Sequence, residues 1–308
     1  MDLSIIIPCC NEEDSVPQLV TQFFPVVNAL RRERAVEVVF VDDGSTDATV
    51  ERLQEIISDQ TDMRIVRHPV NRGLGAAIRT GFANARGEII LTADSDGTYR
   101  FEEIPALLDC LKPGVDIVTA SPYHKKGRVE NVAAYRIFFS RGASLIYQVL
   151  LDRRITAYTC LFRAYRHEVV RRVPFSSDGF LVGAELLVNA LFMGYTAVEY
   201  PSTLHARQAG ASKAQSLRII RAHLRFQWSV LLRRLKLAPL PSSLTPQPPL
   251  QSGTLKGVPA ARFGEGESHS PLPTTAHLER SAAAFSRRAV EGSSLGEGPG
   301  VREEKSAL

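Results

Sequence analysis

Short apolar runs alternate along this chain with longer stretches in which apolar side chains recur every three or four positions. The runs at 3–8, 36–42, 63–67, 88–93 and 115–120 predict strands. The stretches at 14–31, 46–58, 73–85 and 102–111 predict amphipathic helices between them. Such alternation predicts an α/β fold with a mainly parallel sheet, because a helix must carry the chain back between parallel strands. Ser45 or Thr46 is expected to cap the second helix, with Asp47 suited to its positive end. A longer helix is expected over 130–151 and another over 181–193, followed by strand-like runs at 195–200 and 203–206. Ser212-Lys213-Ala214-Gln215 has the form of a capping box and opens a final helix. In that helix Leu217, Ile220, Leu224, Leu231 and Leu235 form an apolar stripe among six basic residues.

The pattern stops near residue 238. From Pro239 onward the chain has no Ile, Tyr, Trp, Met or Cys and is rich in Pro, Ser, Gly and Ala. Such a segment cannot bury enough apolar surface to offset its chain entropy. The expected organisation is one folded domain, 1–237, and a disordered Pro/Ser/Gly-rich tail, 238–308. Lys and Arg outnumber Asp and Glu by 37 to 33, too mild an excess to imply a nucleic acid partner. The four cysteines have no C-x-x-C spacing, so neither a zinc site nor a disulfide framework is indicated and a reducing, cytoplasmic compartment is expected. No signal-peptide pattern opens the chain, and no apolar run approaches the roughly 18 residues of a spanning helix.

The strand ends carry the chemistry. Ile89-Ile90-Leu91-Thr92-Ala93 runs into Asp94-Ser95-Asp96-Gly97, and side chains two apart on a strand share a face. Two carboxylates converging at a strand's C-terminal edge call for a cation, and a hard divalent ion carrying a diphosphate fits. Val38-Val39-Phe40-Val41 runs into Asp42 and Asp43, and the first strand runs into Asn11, Glu12 and Glu13. Three strands thus deliver acidic or amide groups to one sheet edge. A dehydrogenase fingerprint is excluded, since Gly73-Leu74-Gly75-Ala76-Ala77-Ile78 follows the third strand and lacks the last glycine. A processive polysaccharide synthase is excluded by the lack of a Q-x-x-R-W motif and of spanning helices.

With those residues in view, the chain from 3 to about 236 resembles the family 2 glycosyltransferases of the GT-A fold, a Rossmann-like arrangement. It resembles most the polyprenyl-phosphate (dolichol-phosphate type) mannosyltransferases. The resemblance rests on Ile6-Ile7-Pro8-Cys9-Cys10-Asn11-Glu12, Val41-Asp42-Asp43-Gly44-Ser45-Thr46-Asp47, Asn71-Arg72-Gly73-Leu74-Gly75, Asp94-Ser95-Asp96-Gly97-Thr98, and Arg207 with Gly210-Ala211-Ser212-Lys213. Departures are Cys10 for a usual Tyr, Thr98 where some relatives place Gln, Pro122 for an expected Arg, and Ala157–Phe162 for a D-x-x-S-G-F-type stretch.

The resemblance implies a nucleotide-diphospho-sugar donor bound by Pro8, Asn11, Glu12, Asp43, Gly73 and Asp94. Glu12 and Asp43 would accept from ribose and base, and Gly73 and Gly75 would let the backbone approach the nucleotide. Asp94 and Asp96, with Thr98, would hold Mg²⁺ or Mn²⁺. The acceptor remains open at this stage. An alcohol needs a base, for which Glu185 is the leading candidate. A phosphate monoester is already an anion and needs cations, for which Arg136, Arg141, Arg207 and Lys213 are placed. The resemblance favours inverting transfer, in most cases of mannose from GDP-mannose, to polyprenyl phosphate, with Asp96, Arg136, Arg207 and Lys213 carrying catalysis. The final basic helix would then rest on the cytoplasmic face of a membrane. The alternatives are a UDP-sugar with a saccharide hydroxyl acceptor, or a non-catalytic sugar-nucleotide-binding protein. His124 and His205 read as structural.

Overall fold

The computed structural model describes residues 1–207 and 216–237. The capping-box segment with Lys213, and the segment 238–308, lie outside the described residues.

Six of the seven residues of strand β1 (Leu3–Cys9) and all seven of β2 (Val36–Asp42) are buried. A strand covered on both faces needs apolar side chains at odd and even positions alike, which is why both read as continuous runs. Leu3, Ile5, Ile7, Val38 and Phe40 pack into the cluster on one face, while Ile6, Val39 and Val41 pack into the cluster on the other. Helix α1 (16–30), with a wider turn at Leu19–Phe23, joins the two strands. Helix α2 (Thr49–Ile57) leads to β3 (Met63–Arg67), and α3 (Leu74–Asn84) leads to β4 (Ile89–Thr92). Neither Ser45 nor Thr46 caps α2. Asp47 does that work through the Thr49 N–H (3.1 Å), because Ser45 and Thr46 are drawn to Asn11 across the sheet edge.

The strand order β3-β2-β1-β4 decides where a ligand can sit. β1 is parallel to both neighbours, with Ile6 opposite Val39 on one side and Thr92 on the other. The chain therefore leaves β1 first toward β2 and β3, then returns to add β4 on the opposite side. This reversal opens a crevice at the C-terminal ends of β1 and β4. Those ends carry Asn11 and Glu12, and Asp94 and Asp96.

Beyond β4 the chain forms α4 (Ile104–Asp109), β5 (Ile117–Ser121), β6 (Arg128–Glu130), α5 (Ala134–Leu150), β7 (Arg163–Arg166), α6 (His167–Arg172), α7 (Val182–Phe192), β8 (Ala197–Pro201), β9 (Thr203–His205) and α8 (Ser216–Arg234). The seven-stranded sheet ends β4-β7-β5-β8, and β6 pairs with β9 in a separate parallel ribbon. β7 runs antiparallel between β4 and β5. It was not expected, since Arg-Ala-Tyr-Arg shows no apolar run. Arg163 is nonetheless fully buried, because its guanidinium finds Thr119 Oγ1 (2.9 Å), Gly183 O (2.6 Å) and Tyr158 O (3.0 Å).

Helix α8 turns differently from the leucine reading. Its buried seam is His223, Phe226, Gln227 and Val230, packed on α5 through Tyr147, whose hydroxyl meets His223 Nδ1 at 3.1 Å. Leu217 and Leu224 face outward, 84% and 56% exposed. The polar pair Tyr147–His223 inside the seam is what a hydrophobic count misses. Among the described residues no helix is long and apolar enough to cross a membrane.

Candidate active site

The β1 end is stitched to the β2 end. Asn11 sits in the left-handed region (φ 49°). Its N–H donates to Ser45 Oγ (2.8 Å) and its Oδ1 accepts from the Thr46 N–H (2.7 Å). The Glu12 N–H donates to Thr49 Oγ1 (2.7 Å), and Glu12 Oε2 accepts from Ser15 Oγ (3.0 Å). Pro8 lies one residue before the end of β1, opposite Val41. The first two motifs therefore form one surface.

Asp43 serves this surface from beneath. Its carboxylate accepts from the Arg72 N–H (2.9 Å), the Gly73 N–H (2.7 Å) and His68 Nδ1 (2.7 Å). His68 is itself fully buried and held by Thr80 Oγ1 at 2.8 Å. Three protein donors already engage the oxygens expected to take ribose and base, so Asp43 holds the 68–73 loop. The glycines after it are likewise explained by protein. Gly73 has φ 96°, and a Cβ on Gly75 would lie 1.9 Å from Ser177 O. The Gly75 N–H donates to Asp178 O (2.7 Å). The close backbone approach is thus to the 176–178 strap.

Glu185 ties that strap down. Its Oε1 accepts from the Ser176 N–H (3.0 Å) and Ser176 Oγ (3.2 Å), and its Oε2 from the Ser177 N–H (2.8 Å). The general-base reading of Glu185 is corrected: a carboxylate filled by three protein donors serves the strap, not an acceptor.

At the end of β4, Asp96 Oδ1 accepts from the Thr98 N–H (3.0 Å) and Oδ2 from Arg207 Nε (2.7 Å). Arg207 Nη2 also meets Glu12 Oε1 at 3.1 Å. The guanidinium thus bridges the carboxylates of the first and fourth strand ends. Burial opposes its charge, but Asp96 and then Glu12 outweigh burial and hold it protonated. Asp94 accepts no hydrogen bond from the described residues. Withdrawal from water, then repulsion from Asp96, push its carboxyl well above the ordinary carboxylate range, with Arg207 opposing. A pair of hard oxygen donors that resist joint ionisation and draw in an arginine fits a divalent cation. Among the described residues no three His, Cys, Asp or Glu are grouped to hold a metal, so other oxygens would complete its shell. Thr98 contributes its N–H to Asp96 and its carbonyl to the His205 N–H (2.9 Å), and so shapes the turn.

A cleft of about 200 Å³ opens beside this turn. Thr98, Arg136, Ser140, Thr159, His205 and Arg207 are among its lining residues. Arg141 lies outside that lining, its guanidinium 5.8 Å from the centre of the Tyr123 ring. Glu199 fixes the stretch after α5 by accepting from the Thr156 N–H (2.6 Å) and the Ala157 N–H (2.9 Å). Nothing in the sequence marked His68, Arg163 or Glu199, because all but one of the partners named for them, Tyr158, lie 12 to 44 positions away.

Residues 4–173, more than half the chain, match the profile of glycosyl transferase family 2. The chain belongs to that family. It is 35% identical over 215 residues to a dolichol-phosphate mannosyltransferase of Pyrococcus furiosus, covering 69% of this chain but only 59% of the relative. It is 31% identical over 234 residues to a polyprenol monophosphomannose synthase of Mycolicibacterium smegmatis, covering 73% of this chain and 86% of that one. Its fold matches glucosyl-3-phosphoglycerate synthase from Mycobacterium tuberculosis, solved with Mn²⁺, UDP and glucosyl-3-phosphoglycerate. That match has a TM-score of 0.55 at 23% identity and covers 77% of this chain and 81% of the other. In this family 2 chain the fold brings Asn11, Glu12, Asp96, Thr98 and Arg207 together, with Arg136 on the adjoining cleft. It turns Asp43, Gly73 and Glu185 toward protein partners.

Proposed function

We propose that this protein is a metal-dependent, inverting glycosyltransferase that moves a sugar from a nucleotide-diphospho-sugar, GDP-mannose in the first instance, to a polyprenyl phosphate. The observation that carries this reading is the cleft: its described lining includes two arginines, Arg136 and Arg207, and no aspartate or glutamate. An alcohol acceptor needs a base and a phosphate monoester needs cations; the described lining sets two guanidiniums against the single imidazole of His205, which favours the phosphate. The names of the archaeal and mycobacterial relatives support the same acceptor class.

Asp94 and Asp96 would hold Mg²⁺ or Mn²⁺. When bound, that ion supplies Lewis-acid stabilisation of the departing diphosphate. Glu12 and Asn11 bound the donor side of the crevice. Arg207, bridging Glu12 and Asp96, is the movable cation that is released as the donor's charge arrives. Arg136 and Arg207 then hold the acceptor phosphate in line behind the sugar, and Lys213 is proposed to join them. The acceptor oxygen attacks the anomeric carbon from the face opposite the diphosphate, which inverts it.

Membrane association is part of the proposal and is supported by α5 and α8. Tyr135, Phe138, Phe139, Leu145, Ile146 and Val149 are exposed on α5, and Leu217, Leu224 and Trp228 on α8. An exposed apolar face of this extent on two packed helices, interleaved with Arg218, Arg221 and Arg225, suits an anionic membrane surface. The deciding test is a panel of GDP- and UDP-sugars assayed with polyprenyl phosphate and divalent metal. Transfer from one donor to the lipid phosphate is expected. Arg136→Ala should raise the KM for the lipid far more than that for the donor. Transfer to a saccharide hydroxyl, with none to polyprenyl phosphate, would overturn the reading.

A further inference from the structure

One wall of the cleft comes from the β6–β9 ribbon, and His205 stands at its end. The backbone bond from His205 to Thr98 sets its ring beside the Asp94–Asp96 turn. In the ribbon His205 is directly opposite Glu130. Its Nδ1 lies 3.3 Å from Glu130 Oε2. In the neutral ring the neighbouring carboxylate, which only accepts, favours the proton on Nδ1 and leaves Nε2 as an acceptor; in the charged ring Nε2 is a donor. His205 Nε2 is buried and has no hydrogen-bond partner, and the buried Tyr123 hydroxyl has beside it only the Ser140 hydroxyl, at a geometry short of a full hydrogen bond, while Ser140 is engaged with Thr159 Oγ1 (2.8 Å). Both residues line the cleft. A buried polar atom left unpaired is costly and uncommon, and two on one cleft call for a ligand that brings the missing partners.

The chemistry of that ligand follows from the two atoms. Phosphate oxygens are acceptors and suit Arg136 and Arg207. A ring nitrogen and a phenol side by side are both met by hydroxyl groups, which donate or accept as each requires. Sugar hydroxyls supply them.

We propose that His205 and Tyr123 are sugar-specificity residues: they hydrogen-bond hydroxyls of the transferred sugar, with Glu130 as a positioning residue that fixes the His205 tautomer. This rests on the sugar-nucleotide reading above. The imidazole takes the wall nearest the metal-side turn, so it reads a hydroxyl of the donor sugar and not the acceptor phosphate.

The test is calorimetric binding of GDP, GDP-mannose, UDP and UDP-glucose to the full chain with Mn²⁺, followed by the deoxy analogues of whichever sugar nucleotide binds. The wild type should bind the sugar nucleotide more tightly than the bare diphosphate. His205→Ala should cut that gain roughly 5- to 50-fold, and Tyr123→Phe by about 3- to 10-fold, leaving affinity for the diphosphate unchanged. One deoxy donor should bind the wild type and His205→Ala equally, because the hydroxyl and its partner are then both gone. Glu130→Ala should cut the same gain by a smaller factor. A structural role alone would weaken diphosphate and all deoxy donors together, and that result would overturn the proposal. So would a wild type that gains nothing from the sugar. Transfer assays on the same proteins separate the two readings: hydroxyl-dependent binding with transfer to an acceptor other than a polyprenyl phosphate would refute the acceptor assignment and leave His205 and Tyr123 standing.

Discussion

Glu185→Gln separates a catalytic base from a structural clamp. The carboxylate sits near the start of α7, 7% exposed, and accepts three hydrogen bonds from residues 176 and 177. Glutamine has nearly the same shape but only one acceptor oxygen. If that oxygen keeps Ser176, the new NH₂ faces the Ser177 N–H, donor against donor, and the other orientation strands Ser176 instead. Either way at least one half-buried N–H loses its protein partner, which costs about 0.5–1.5 kcal/mol. With a urea m-value of about 2–3 kcal/mol/M, the unfolding midpoint should fall by roughly 0.2–0.7 M. Far-UV circular dichroism is the suitable readout, because the single tryptophan, Trp228, is already 63% exposed in the folded chain. Loss of a true base would act the other way round: kcat would fall about 10²- to 10⁴-fold with stability unchanged. The clamp role predicts a kcat within about tenfold of wild type once the variant is folded, since the strap is met by Gly73, Gly75 and Arg79 and, among the described residues, no hydrogen bond or ion pair joins it to the Asp94–Asp96 turn. An unshifted urea midpoint together with a hundredfold loss of kcat would refute the reasoning.

Other outcomes follow from single observations. Gly75→Ala puts a Cβ 1.9 Å from Ser177 O and should destabilise by about 1–3 kcal/mol or more, whereas Gly142→Ala in α5, which meets nothing within 4 Å, should stabilise by about 0.5–1 kcal/mol. Thermal melts of the pair check this, and equal melting temperatures would mean the strap does not press on α3. Asp96→Ala should abolish transfer and Asp94→Ala reduce it severely, with EDTA stopping the wild type and Mn²⁺ restoring it; full activity in EDTA would sink the metal assignment. Burial pushes the His223 imidazole down from 6.5 to about 4. Its contribution is therefore complete above pH 6.5 and is lost as pH falls toward 4, about 3 kcal/mol in all. Urea midpoints measured between pH 7 and pH 4 should fall more steeply for wild type than for His223→Leu, and parallel curves would contradict the shift.

The strands and helices of the first hundred residues were legible because periodicity is local: β2 and β3 span the expected runs, and β1 runs one residue further, to Cys9. The sheet edge that carries the chemistry was legible for the same reason, since apolar strands ending in Asn11-Glu12, Asp42-Asp43 and Asp94-Ser95-Asp96 must bring those groups together if the strands are parallel. What each polar side chain does once there depends on partners distant in sequence. Asp43 and Glu185 share chemistry with Asp94, yet the first two are filled by backbone N–H groups of loops 29 and 8 or 9 positions away, and Asp94 accepts no hydrogen bond from the described residues. β7 escaped notice because a buried arginine is tolerated only where three acceptors converge on it, a condition set by Thr119, Tyr158 and Gly183. Helix α8 was expected from its leucines, but its orientation was decided by Tyr147 and His223, which took the seam and left Leu217 and Leu224 outside. Sequence by itself determined the elements of the first hundred residues and the acidic edge, because strand and helix periods and turn chemistry act over a few residues. Tertiary structure alone decided which carboxylates are spent on protein donors and which face the crevice, because a hydrogen-bond acceptor has few lone pairs and whichever group reaches it first in space fills it.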